Sequence, residues 1–160
     1  MRNIRRNVFE TNSSSSHSIS IHNDELIMNL MPIDDDGYIY IELQEFCHCA
    51  DYYSQQDRLS FLIQQLGYEL GLDFWCVSRA EWEENAQKLY ESDKFIELSD
   101  KIAEYAGNRC KGVRLREFSE GYIDHEGVYD SLDDFLDYEY TTLIDFVFGD
   151  NVIIHFEFNG

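Results

Sequence analysis

The run FETNSSSSHSISI, Phe9 to Ile21, puts four consecutive serines, a histidine and a fifth serine at the front of the chain. A second imidazole, His125, lies between Asp124 and Glu126, where an acid can orient the ring. Ser16 or Ser18 as nucleophile, His125 as base and Asp124 as orienter would supply the parts of hydroxyl-based hydrolysis. His17, Asp124 and His125 are equally a candidate metal-dependent or nucleotide-processing set. Against both stands the absence of a G-x-S-x-G turn and of a Gly-rich oxyanion loop. Ser and Asn in such runs also bond the local backbone in turns and caps. With Arg5 and Arg6 the hydroxyls can hold a phosphate, although no P-loop is present.

Cys47-His48-Cys49 raises the question of zinc, with Cys76 and Cys110 as the remaining thiols. The spacing is not that of a C-x₂₋₄-C ribbon, and buried free cysteines are common. No metal site and no cofactor is expected. The MRNIRRNVFE start has no apolar core of a secretory signal, so the thiols are expected to be reduced in a cytoplasm. No run of about 18 apolar residues occurs, so no membrane span is expected.

Charge is the strongest bulk signal. The 32 acids against 12 bases give a formal net charge of −20. Such an average surface repels nucleic acid, whose binding needs Lys and Arg, yet it resembles what a basic groove binds. The bases cluster at Arg2, Arg5 and Arg6 and at Arg109, Lys111, Arg114 and Arg116. The two base-free stretches, between Arg6 and Arg58 and after Arg116, hold 22 of the 32 acids. Within them, IDDDGYIY carries Asp34, Asp35 and Asp36, and DDFLDYEY carries Asp133, Asp134, Asp137, Tyr138, Glu139 and Tyr140. Carboxylates interleaved with tyrosines suit a protein-docking face, since charge steers and Tyr supplies area at low entropy cost. An ordinary solvated acidic surface is the plainer reading of the same residues.

The elements that must position these groups follow from periodicity. Ser18 to His22 and Gly37 to Leu43 alternate as strands and suggest a hairpin or two sheet neighbours. Tyr53 to Leu70 reads as a helix with Leu59, Leu62, Ile63, Leu66 and Leu70 on one face. Ser78-Arg79-Ala80-Glu81 has capping-box spacing, and a long helix should run from it to Ala106, with Ser92 or Ser99 as a potential break. Gly112 to Phe118 and Val152 to Phe158 alternate as strands, and GYIDHEG is a further strand or its turn. Ser131 with Asp134 starts a short helix. The 44% apolar content can fill a core. The expected fold is one α+β domain over 1–160, with 1–12 a basic arm. It would have a mostly antiparallel sheet of about five strands and three or four helices on one side.

RRNVFETNSSSSHSISI and GYIDHEGVYDSLDDFL together resemble a family of small phage and mobile-element proteins that open with FETNSSS(S/T)HS and carry GYIDH near the C-terminus. Glu126-Gly127 stands where that family more usually has a polar residue and serine. The resemblance implies a phage or mobile-element setting without naming a reaction. Combined with the charge, it leads to the expectation of an anti-defence protein, an anti-CRISPR-type inhibitor in the cytoplasm of a host bacterial cell. Its partner would be a host nucleic-acid-processing protein with a basic channel, such as a CRISPR effector. It would act without turnover and without binding nucleic acid or membrane directly. The alternative is a small enzyme using the Ser/His run with Asp124 and His125 on a nucleotide or defence signal.

Overall fold

The computed structural model describes residues 15–21, 31–47, 50–107, 109–124, 128–150 and 152–158, with the backbone alone for 15–21, 157 and 158. The basic arm 1–12, His22, His48, Cys49 and His125 lie outside the described residues. In chain order the elements are β1 (Ser15–Ile21), β2 (Tyr38–Ile41), β3 (Glu45–Phe46), β4 (Asp51–Tyr52), α1 (Gln55–Glu69), α2 (Arg79–Glu91), α3 (Asp93–Ala106), β5 (Gly112–Leu115), β6 (Tyr122–Ile123), α4 (Leu132–Tyr138), α5 (Leu143–Phe148) and β7 (Val152–Phe158). The α+β class holds, but the five-stranded antiparallel sheet does not. The strands divide into an antiparallel trio ordered β1-β7-β4 and two parallel pairs, β2-β5 and β3-β6. The expected β1–β2 hairpin is replaced by long-range pairings, because β1 takes β7 as partner and β2 takes β5.

Helix α1 touches α3, α4 and α5 as well as β2 and β6. A reciprocal capping box starts α1: the Ser54 hydroxyl accepts from the Asp57 N–H, and the Asp57 carboxylate accepts from the Ser54 N–H. Ten consecutive residues of α1, Arg58 through Gly67, are buried, so all sides of this helix are enclosed. The leucine stripe expected from periodicity accounts for one side, although Leu70 at its end is exposed. The other sides are buried because their polar groups bond loop backbone. The Ser60 hydroxyl accepts from the Gln44 N–H, and the Gln64 amide donates to the Gln44 carbonyl at 2.8 Å. Gln65 donates to the Tyr129 carbonyl and accepts from the Tyr129 N–H. Arg58 donates from one guanidinium nitrogen to the carbonyls of Gly149 at 2.7 Å and Phe146 at 3.3 Å, at the end of α5. Buried polar groups need such partners.

Around α1 the apolar residues form one continuous cluster, with Phe46, Phe61, Phe135 and Phe146 fully enclosed. The long helix expected from Ser78 to Ala106 breaks at Ser92. That residue ends α2 and caps α3, its hydroxyl donating to the Leu89 carbonyl and accepting from the Phe95 N–H. Ser99, the other potential break, instead serves β5. Its hydroxyl accepts the Val113 N–H, and the Tyr90 hydroxyl accepts the Leu115 N–H. These two side chains occupy the edge of β5 away from β2. Gly112 makes the approach possible: its φ is +138°, and a Cβ there would lie 2.3 Å from the Ser99 oxygen.

Candidate functional site

The best-formed part of the acidic surface is α4. Ser131 caps it, its hydroxyl accepting from the Asp134 N–H at 3.0 Å. Leu132 and Phe135 turn inward, which leaves Asp133, Asp134 and Asp137 exposed. Carboxylates in the first turn are favoured by the helix dipole, so the charge and the helix support each other. Glu69 anchors the start by accepting from the Leu132 N–H, and Lys94 bridges Glu69 and Asp133. Tyr140, at φ +50°, is 78% exposed. Two of the residues expected on this face are engaged inward. The Glu139 carboxylate accepts from the Tyr129 hydroxyl at 2.9 Å, and the Tyr138 ring packs 5.8 Å from that of Tyr129. Burial, followed by the Glu139 charge, pushes the Tyr129 hydroxyl far above the ordinary tyrosine range.

Asp34, Asp35 and Asp36 form the turn into β2. The Asp34 carbonyl accepts from the Gly37 N–H, and Asp36 accepts from the Tyr38 N–H and the Tyr40 hydroxyl. The Tyr40 bond, with the Tyr38 N–H second, holds the Asp36 carboxyl below its usual value. Helix α3 separates this turn from α4. Ser99 faces the β2-β5 pair, whereas Lys94, Glu97 and Lys101 line a cavity against α4. At 100° per residue, Ser99 lies roughly 140–160° around the helix from Lys94 and Lys101. The two acidic segments are therefore separate surfaces. The cavity between α3 and α4, about 270 Å³, has an apolar floor of Leu98, Leu132, Leu136 and Leu143.

The serine run enters the structure as strand. Ser15 to Ile21 is β1, beginning three residues earlier than the alternation suggested, and His17 stands opposite Phe156 in register. Asp124 follows β6, where its N–H donates to the Phe46 carbonyl at 2.9 Å. Thus the two motif blocks sit in different sheets. They are linked through Phe156 and Phe46, whose ring centroids lie 6.2 Å apart. The described residues place neither the His17 side chain nor His125.

They do reveal an acid–imidazole pair that sequence reasoning missed. His155 Nδ1 meets the Asp51 carboxylate across β7 and β4, and Asp51 also accepts from the Tyr53 hydroxyl at 2.6 Å. Tyr53 first, then His155, lowers the Asp51 pKa. On the other side of β7, the backbone register sets Ser18 opposite His155. The order across the sheet is Ser18, His155, Asp51. The only sequence signal was the outward position of His155 in VIIHFEF, since a two-residue β4 has no readable period.

Among the described residues no group of three His, Cys, Asp or Glu side chains is placed to hold a metal. Cys47, Cys76 and Cys110 are free thiols, and burial followed by the Glu45 and Asp124 charges raises the Cys47 pKa. No described helix is long and apolar enough to cross a membrane. Comparison of the chain with protein-family models, curated proteins and solved structures returned no match.

Proposed function

We propose that this chain is an anti-defence protein of phage or mobile-element type that works by stoichiometric binding. Its α4 surface occupies a basic nucleic-acid channel of a host nuclease, a CRISPR effector being the leading candidate. The observation that carries this reading is the outward set Asp133, Asp134 and Asp137 beside the exposed Tyr140, on a capped helix. Such a set combines long-range steering with an aromatic contact, without a nucleophile or metal. The Asp34–Asp36 turn, on the other side of α3, is a secondary contact.

The test is a pull-down from host lysate with tagged protein at low and high salt. A basic nucleic-acid-processing protein retained at low salt, released at high salt and lost with Asp133→Lys/Asp134→Lys supports the reading. Unchanged capture by that variant refutes it for this face. A second reading, a small enzyme acting on a nucleotide or defence signal, is favoured by the Asp51–His155 pair opposite Ser18 in register. His155→Ala would abolish such turnover and leave lysate capture intact.

A further inference from the structure

The β2-β5 pair carries a cationic aromatic surface that the acidic reading does not use. Ile39, Ile41, Val113 and Leu115 are buried, so the alternate residues Tyr38, Tyr40 and Arg114 emerge on the other face, with Arg116 just beyond. The Arg114 guanidinium lies 4.4 Å from the Tyr38 ring centre and 5.6 Å from that of Tyr90. Arg116 lies 5.7 Å from the Tyr40 ring, and the Lys111 ammonium lies 5.9 Å from that of Tyr38.

What sets this surface apart is its lack of ion pairs. In a chain with 32 acids, Arg79, Lys88, Lys94 and Lys101 each contact a carboxylate. Among the described residues Arg109, Lys111, Arg114 and Arg116 form no ion pair, although all four are exposed. Asp36, beside the face, is engaged by Tyr40 and the Tyr38 N–H. Exposed cations held near aromatic rings suit an anion that also carries a flat ring.

We infer that the Tyr38–Tyr40–Arg114–Arg116 face, with Lys111, binds a free nucleotide, its base stacking on the Arg114 guanidinium and its phosphates meeting Lys111 and Arg116. A free nucleotide fits better than a nucleic-acid strand. The cations lie along β5, a strand of four residues, and flanking phosphates of a polymer would meet the Asp34–Asp36 turn and a molecule of net charge −20. A peptide acidic through Asp and Glu alone satisfies the charges but offers no flat ring for the guanidinium.

The experiment is equilibrium dialysis or ligand-observed NMR with ATP, GTP, CTP and UTP, using tripolyphosphate and a short oligouridylate as comparison ligands. At least one nucleotide should bind with a Kd no weaker than about 1 mM. Arg114→Ala should weaken it by about tenfold or more, and Arg114→Lys should fail to restore it, because a lysine keeps charge but not the plane. Arg116→Ala provides a second variant on an exposed side chain, and circular dichroism checks both folds. Several outcomes overturn the inference: no nucleotide binding, binding indifferent to both variants, or tripolyphosphate binding as tightly as the nucleotides. Tighter binding of the oligonucleotide than of any nucleotide overturns the choice of a free ligand and assigns the face to a strand.

Discussion

Replacing Arg58 with methionine should destabilise the protein more than removal of any surface ion pair. Arg58 is 5% exposed, and its guanidinium reaches from α1 to the Gly149 and Phe146 carbonyls at 2.7 and 3.3 Å, with a third bond from Nε to the Ser54 carbonyl at 3.3 Å. Methionine fills much of the volume but donates nothing. A hydrogen bond to a charged group contributes about 1.5–3 kcal/mol, and an acceptor left unpaired in the interior costs about 1–3 kcal/mol. The two longer bonds contribute less than the short one, and removing a buried charge returns part of its desolvation cost, which itself lowers the Arg58 pKa. The net expectation is a loss of roughly 2–3 kcal/mol, or about 5–10 °C in Tm for a chain of this length. Urea unfolding followed by far-UV circular dichroism measures it. A loss below about 1 kcal/mol would mean that water satisfies these carbonyls unaided, and would refute the role of Arg58 as the tie between α1 and the end of α5.

Gly112→Ala should cost about 1–3 kcal/mol in the same assay, since it adds a Cβ 2.3 Å from the Ser99 oxygen at a φ of +138°. Ser92→Ala should cost about 1 kcal/mol by uncapping α3, with helicity lost locally rather than throughout. Asp51 provides a pH signature. Its folded pKa is depressed, so its contribution is present above the unfolded value of about 3.9 and is lost as pH falls through the folded value. The stability difference between wild type and Asp51→Asn should therefore shrink between about pH 5 and about pH 2, and a difference unchanged over that window would contradict the pairing.

Local chemistry was legible in the sequence where it was self-contained. The Ser131–Asp134 start of α4, the alternation of Val152 to Phe158 and the strand character of Tyr38 to Ile41 needed only neighbours along the chain. Pairing was not legible, because β1 with β7 and β2 with β5 join segments far apart in sequence, and two-residue strands such as β3 and β4 carry no period. Helix α5 was missed although Thr142 and Asp145 have cap spacing, because LIDFVF is short enough to read as strand. The burial of Gln64, Gln65 and Arg58 was not legible, since only tertiary contacts reveal the backbone that covers them. The same limit hid Asp51 as the partner of His155.

The two side-chain hydroxyls on β5 restrict how another chain can approach. A strand added to a sheet edge recognises a row of outward amides and carbonyls. On β5 the Val113 and Leu115 amides already donate to Ser99 and Tyr90, so that edge offers neither of these donors to an incoming backbone. Polymerisation by strand addition is blocked there without a proline or a bulge. A partner on this side must recognise side chains, and its selectivity then depends on charge and ring geometry rather than on main-chain pairing that many sequences can satisfy.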